Sequence, residues 1–235
     1  MSHRFLVFGA SGAIGNALVA SAVARGWEVT SVARHCPAGV DGVTSIAYDP
    51  FDGTSFATSS LAEAGPFDSI CWAQGANVND SIADVDVEKH LEIYRANCLY
   101  ILVSLQGLMN AGLLRSPAKL CVISSIWQNL ARQSKLTYCM TKAAVEGMVL
   151  SLSADLAADG HLVNAVLPGA LETPMTRKNL STEQIDRLTS ATQFGRLPSL
   201  EDVSAAVLFL CSPENTGITG QFIAADLGFS RVRIV

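Results

Sequence analysis

Arg4-Phe5-Leu6-Val7-Phe8-Gly9-Ala10-Ser11-Gly12-Ala13-Ile14-Gly15-Asn16-Ala17-Leu18-Val19 begins with an unbroken apolar run, passes through three glycines in seven residues and continues with a helical period. A strand apolar at consecutive positions belongs in a parallel sheet covered on both faces, because only there are both sets of side chains buried. The glycine turn lets backbone amides approach an anion, and the helix after it offers unpaired N–H groups and the positive end of its dipole. Strand, turn and helix together therefore read as a pyrophosphate cradle. The same spacing also serves a tight strand-to-helix turn with close packing and no ligand.

Working outward, apolar runs recur at Arg4–Phe8, Glu28–Ala33, Thr44–Tyr48, Asp68–Ala73, Lys119–Ser124, Leu162–Leu167 and Gln221–Ala225. Segments of helical period fill residues 13–25, 54–64, 87–112, 137–159 and 200–211. This alternation predicts an α/β fold: a doubly wound, Rossmann-like parallel sheet of seven strands in a single domain over residues 1–235. The least patterned stretch, 173–198, has Pro174 and Pro198 near its ends and is expected to be a flap over the site.

Composition bounds the partners. Charged residues are 16% of the chain and apolar residues 49%, a surface poor in charge that points to burial between copies as a homodimer or homotetramer. The net charge of −5 comes without a long basic run, which speaks against nucleic acid or an anionic membrane as partner. The six cysteines form no CxxC pair and mostly lie in apolar stretches, as free thiols do in a reducing, cytoplasmic compartment. The four histidines stand at no metal-ligand spacing, so no metal site is expected. No leader is expected either, and Cys98–Leu114 is too often interrupted by polar residues to span a bilayer.

The second strand ends Val32-Ala33-Arg34. An acidic side chain here takes the ribose hydroxyls of NAD, whereas an arginine accommodates the 2′-phosphate of NADP. With Ala33 in the acidic place and Arg34 next, NADP(H) is favoured; the alternative is a solvated arginine opening a loop. Tyr138 and Lys142, four residues apart, share one face of the helix expected over 137–159. In this composition about 0.09 Tyr-x-x-x-Lys pairs arise by chance, so context has to carry the assignment.

That context resembles the short-chain dehydrogenase/reductase family over essentially the whole chain. Ser125 ends a strand thirteen residues before Tyr138, and Asn97 lies in Tyr94-Arg95-Ala96-Asn97-Cys98. Asn164-Ala165-Val166-Leu167-Pro168-Gly169-Ala170-Leu171-Glu172-Thr173 is similar to the family's NxVxPGxxxT, and Gly195-Arg196, Thr219-Gly220-Gln221 and Asp226-Leu227-Gly228 follow in the family's order. Two motifs depart from the pattern. Phe8 and Ala13 replace a threonine and a glycine of TGxxxGxG, so that Gly9, Gly12 and Gly15 match the GxxGxxG of the longer branch of epimerases and dehydratases; the length here argues against that branch. Trp72-Ala73-Gln74-Gly75 stands where the family has NNAG, which puts local sheet bonding in question.

The resemblance implies a catalytic set of Asn97, Ser125, Tyr138 and Lys142. It implies cofactor contacts at Gly9, Ser11, Gly12, Ile14 and Gly15 in the turn, at Arg34, Asp49 and Gly75 after the next strands, and at Pro168, Gly169, Leu171 and Thr173, with Tyr138 and Lys142 touching the nicotinamide side. Asp49 can equally be a turn residue before Pro50. A carbonyl receiving a hydride develops negative charge on oxygen and then takes a proton. Tyr138 can supply it if its phenol, ordinarily near pKa ~10, is helped toward the phenolate by the Lys142 cation. Ser125 would hold the carbonyl oxygen and Asn97 a water leading to solvent. Activity as a sugar-nucleotide epimerase or dehydratase, or as a non-catalytic nucleotide-binding scaffold, stands as the alternative. Arg132, Lys135, Arg177 and Lys178 lie on the segments that face the substrate in the family and suit an anionic substrate. Glu183 and Asp186 are close enough to neutralise the flap pair, leaving Trp127 and Leu130 to line a neutral pocket.

Overall fold

Seven strands, β1 (Arg4–Phe8), β2 (Glu28–Ala33), β3 (Val43–Ala47), β4 (Phe67–Trp72), β5 (Leu114–Ile123), β6 (Leu162–Pro168) and β7 (Phe222–Ala225), build one sheet in the computed structural model. The structure describes residues 2–34, 40–54, 56, 59–173, 176–177, 181–192 and 194–232. Every neighbouring pair is parallel and the order is β3-β2-β1-β4-β5-β6-β7. The chain winds outward from β1 in one direction, then returns to add β4 on the other side. The crevice left at that reversal, beyond the carboxyl ends of β1 and β4, is where open α/β sheets bind ligands.

Alternation within β1 shows why its sequence is apolar throughout. Leu6 and Phe8 enter one hydrophobic cluster, Phe5 and Val7 the other, and all four are fully buried. The first cluster is closed by α2 (Ser60–Ala64), α4 (Tyr100–Asn110) and α5 (Leu136–Asp155), through Leu61, Ile101, Leu105, Val145 and Val149. The second is closed by α1 (Ala13–Ala24) and α7 (Leu200–Cys211), through Leu18, Val19, Val203 and Val207. Among the described residues no helix is long and apolar enough to cross a membrane. Cys71, Cys98, Cys121, Cys139 and Cys211 are free thiols, with Cys71 and Cys121 opposite each other on β4 and β5; Cys36 lies outside the described residues.

Four elements differ from the sequence expectation. The helix expected over 54–64 is α2, which begins at Ser60. The helix expected over 87–112 is divided into α3 (Val87–Tyr94), a π-helical turn Arg95–Leu99, and α4. The turn carries Asn97, whose side chain bonds the backbone of Ala76; tertiary hydrogen bonds of this kind hold the wider turn open. Strand β5 starts at Leu114, five residues before the expected Lys119, because Phe67 pairs with Leu114 across an irregularity at Phe67/Ser69. The stretch 173–198 contains α6 (Thr182–Ser190), started by a capping box in which Ser181 and Gln184 satisfy each other's backbone N–H groups. That Ser-x-x-Gln signal stands in the sequence.

The replacement of the family's NNAG leaves the sheet intact. Ala73 N–H donates to the Phe8 carbonyl at 2.9 Å, Phe8 and Trp72 stack at 5.8 Å, and the Trp72 indole donates to Ser104 Oγ at 2.8 Å. The two bulky rings take up the space and the backbone makes the bond.

Candidate active site

The turn after β1 folds tightly enough to require its glycines. Gly9 has φ +75° and its α-carbon faces the backbone of Gln74; a Cβ on Gly15 would run into the Gly9 carbonyl oxygen and lie 2.8 Å from Ala10 Cα. Helix α1 then begins from Gly12 with no side-chain cap and no acidic residue in its first turn, whereas α3, α6 and α7 are capped by Asp86, Ser181 and Ser199. Its first N–H groups thus have no side-chain partner and could receive an external anion. Ser11 and Gly12 are exposed and Ile14 half-buried above this helix end. Both polar atoms of the Gln74 side chain are buried without a partner, between Gly9 and Gly75. An uncapped helix end and an orphaned amide beside it suit the pyrophosphate of a dinucleotide.

Arg34 is exposed at the end of β2. Asp49 Oδ1 accepts from Phe51 N–H at 3.0 Å, so the carboxylate makes the turn that its place before Pro50 allowed. Across the crevice, Gly169 is pinned by β7: its N–H donates to Ala225 and a Cβ there would lie 3.0 Å from Asp226 Cβ. Pro168 is buried, Leu171 packs into the second cluster, and Thr173 Oγ1 shares a hydrogen bond with Thr176 Oγ1 at 3.0 Å. The Thr173 hydroxyl is thereby engaged by Thr176, three residues on.

Tyr138, Lys142, Ser125 and Asn97 converge where β4 and β5 end. Tyr138, half-buried on the first turn of α5, faces the Ser125 side chain, whose hydroxyl draws the phenol's pKa down. Ser125 stands just beyond β5 and its Oγ also accepts from Trp127 N–H at 3.3 Å. One helical turn on, the ammonium of Lys142 lies 5.7 Å from the Tyr138 ring centre and donates to the Ile123 carbonyl at 3.0 Å. Burial raises the Tyr138 pKa, and the Ser125 hydrogen bond pulls the other way. The sequence expectation was a phenol drawn down by Lys142; loss of water around the phenolate dominates instead, and the downward pull comes from Ser125. Lys142 itself, 3% exposed, is pushed down to about 8 by burial, with Cys98 acting in the opposite sense.

Asn97 is fully enclosed. Its Oδ1 accepts from Ala76 N–H at 2.7 Å, and its Nδ2 donates to the Ala76 carbonyl at 3.0 Å and to Thr141 Oγ1 at 2.9 Å. Both donor hydrogens are used, so any water it positions has to be bound through the second lone pair of Oδ1. Gly75 completes the floor, since a Cβ there would sit 3.3 Å from Asn97 Oδ1 and 3.8 Å from Lys142 Nζ.

Two functional contributors escaped the sequence reading. Asp80 caps α5 from a distant loop: its carboxylate accepts from Thr137 N–H at 3.0 Å and its carbonyl from Leu136 N–H at 3.2 Å. Phe229 closes the pocket beside Ser125 together with Ile126, Trp127, Leu188 and Leu197, presented by a turn in which Asp226 accepts from Gly228 and Ser230 N–H groups. Nothing local in the sequence announces either pairing.

The basic cluster expected to receive an anion is partly committed elsewhere. Arg177 pairs with Glu172 at 2.6 Å, a nearer partner than the expected Glu183 or Asp186. The Lys135 ammonium is tied to Asn77 Oδ1 at 2.9 Å, and Lys178 lies outside the described residues. Arg132 sits 6.0 Å from the Trp127 ring. Leu130 is half-buried and packs against the first hydrophobic cluster, as Trp127 does. Among the described residues no group of three or more His, Cys, Asp or Glu side chains could hold a metal ion.

A family model described as Enoyl-(Acyl carrier protein) reductase matches residues 9–230. The chain belongs to the short-chain dehydrogenase/reductase family. Family membership makes it an NAD(P)-dependent oxidoreductase. It is 27% identical over 237 residues to the 3-oxoacyl-[acyl-carrier-protein] reductase FabG of Salmonella typhimurium strain LT2, covering 97% of each chain. Similarity to the uncharacterized oxidoreductase YmfI of Bacillus subtilis strain 168 is 26%, over 97% of this chain and 99% of that one. A short chain dehydrogenase family protein from Francisella tularensis has the same fold, with TM-score 0.87 at 24% identity over 99% of this chain and all of that one. ElxO with NADP bound superposes with TM-score 0.81 at 19% identity, over 97% and 99% of the two chains. A Leptospira borgpetersenii short chain dehydrogenase with bound NAD+ superposes with TM-score 0.84 at 23%, over 98% and 93%.

Proposed function

We propose that this enzyme reduces a ketone or aldehyde with NADPH, or oxidises the corresponding alcohol with NADP+, using Tyr138 as general acid/base. The observation that carries the proposal is the meeting of Tyr138 with Ser125 and the Lys142 ammonium at the open end of the crevice. A bound nicotinamide nucleotide supplies or accepts the hydride at the carbonyl carbon. Ser125 holds the substrate oxygen, while burial keeps Tyr138 protonated at neutral pH and thus ready to donate. Lys142, charged below about pH 8, favours the phenolate that remains after donation. Asn97 fixes the 76–80 loop against α5 and so keeps Gly75 and Lys142 in register.

In this reading Gly9, Ser11, Gly12, Ile14 and Gly15 hold the pyrophosphate, Arg34 the 2′-phosphate, and Pro168 to Thr173 the nicotinamide amide. Residues 173–198 serve as the substrate flap, hinged where Glu172 N–H donates to the Pro198 carbonyl at 3.0 Å. The pocket beneath is mainly apolar. The FabG relatives, named as 3-oxoacyl-[acyl-carrier-protein] reductases, make a 3-oxoacyl thioester the first carbonyl to test. Among the described residues of the basic cluster, Arg132 is the one left to meet an anionic group. Exposed Leu102, Val103 and Leu150 on α4 and α5 support assembly as a homodimer or homotetramer, and the free thiols a cytoplasmic setting.

The test follows NADPH absorbance against a panel of ketones, aldehydes and 3-oxoacyl thioesters, with wild type beside Tyr138→Phe. Turnover should fall by about 10²–10⁴-fold while NADPH affinity stays nearly unchanged. A variant keeping more than about a tenth of the activity would show that another group moves the proton.

A further inference from the structure

Lys135 is the last residue before α5 and is 8% exposed. Its ammonium donates to Asn77 Oδ1 at 2.9 Å and to the Val78 carbonyl at 3.4 Å, and lies 5.9 Å from the centre of the Tyr138 ring. Lys142 stands 5.7 Å from the same centre. The tyrosine is therefore bracketed along α5 by two buried cations, one three residues before it and one a turn after it. The placement is built from outside the helix. Ser134, with φ +56°, is held where its carbonyl accepts from Asp80 N–H, and Asp80 also caps Leu136 and Thr137. Asn77, Val78 and Asp80 all belong to the loop after β4, the loop that Asn97 fastens at Ala76.

We propose that Lys135 is a positioning residue for Tyr138, a second cation that, with Lys142, favours the phenolate during proton transfer. This rests on the reading of Tyr138 as the acid/base. Among the described residues neither lysine is in an ion pair, and Lys135's hydrogen-bond acceptors are neutral oxygens. Each charge acts on whatever lies beside it, and although the Asp80 carboxylate stands near Lys135, what lies beside both ammonium groups is one phenol. The groups facing Tyr138 are Ser125, Cys139, Lys142 and Lys135; those facing Lys135 are Arg132, Asp80 and Cys139. Asp80 draws Lys135 toward the charged form, while burial and Arg132 oppose it.

The experiment uses the complex with NADP+ and reads Tyr138 ionisation in two ways: the near-ultraviolet phenolate absorbance against pH, as a difference from Tyr138→Phe, and the rising limb of kcat/KM for alcohol oxidation. A unit charge about 6 Å away, in a medium between water and a protein surface, shifts such a midpoint by about 0.5–2 pH units. Lys135→Gln should raise both midpoints by that amount, and Lys135→Arg should restore them. Asn77→Asp, at an exposed position, places a carboxylate on the ammonium and should raise them too, which covers the case of Lys135→Gln failing to fold. Unmoved midpoints in Lys135→Gln or Asn77→Asp, with only a pH-independent loss of activity, would overturn the proposal and leave the Tyr138 reading intact. Full activity of Tyr138→Phe would overturn that reading instead, whatever the absorbance shows for Lys135.

Discussion

Replacing Lys142 with methionine should abolish turnover and, at neutral pH, stabilise the nucleotide-free protein. The side chain is 3% exposed, its ammonium meets one neutral carbonyl, that of Ile123, and burial holds it at about 8 where an ordinary lysine has 10.5. Below about pH 8 the folded and unfolded states are both protonated, and the full cost of burying the charge weighs on the fold. Between about 8 and 10.5 the unfolded state binds the proton that the folded state has released, so stability rises with pH. Above that window both are neutral and the cost is gone. At about 1.4 kcal/mol per pH unit the cost comes to about 3 kcal/mol. Methionine removes the charge at similar length but leaves the Ile123 carbonyl without this donor, a loss of about 1 kcal/mol. The expected net gain at pH 7 is about 2 kcal/mol, reversing to a loss of about 1 kcal/mol near the alkaline end. Urea unfolding of both proteins across the window measures the difference directly. Stabilities that run parallel with pH would refute the reasoning, since they would mean that the Lys142 amine titrates in the folded state as it does in the unfolded one.

Arg34→Ala should weaken NADPH binding by about ten-fold or more and leave NADH binding nearly unchanged, because a charge-assisted contact of about 1.5–3 kcal/mol is lost; equal affinities of wild type for the two nucleotides would remove Arg34 from the site. Gly15→Ala should lower thermal stability and nucleotide affinity together, since the new methyl meets the Gly9 carbonyl and Ala10 Cα, backbone atoms that cannot step aside. Gly12→Ala, whose Cβ would lie 3.3 Å from Gly9 O, should be tolerated better, and the order of the two in a thermal melt checks the packing.

Much of the site was legible because its signals are local. The consecutive apolar residues of β1 announce a strand covered on both faces, and Leu6 and Val7 do lie in opposite clusters. The four-residue step from Tyr138 to Lys142 is a helical repeat, so helix formation alone brings the two to one face. Ser125 stands two residues beyond the end of β5, close to where the run Leu120–Ser124 ends. The amphipathic α6 is equally legible through Ser181 and Gln184, whose capping box starts a helix inside a stretch bounded by Pro174 and Pro198.

What the sequence by itself determined was the layered α/β plan, the glycine turn and the residues available for chemistry, all consequences of period and spacing along a few residues. Only the tertiary structure decided which of those residues are free. Arg177 is spent on Glu172, Lys135 is drawn to Asn77, the Asn97 amide is filled by Ala76 and Thr141, and the phenol of Tyr138 is raised by burial. Except for Arg177, these outcomes depend on partners dozens of positions away. Hydrogen bonding and desolvation act through distances of a few ångströms in space, and separation along the chain does not report them.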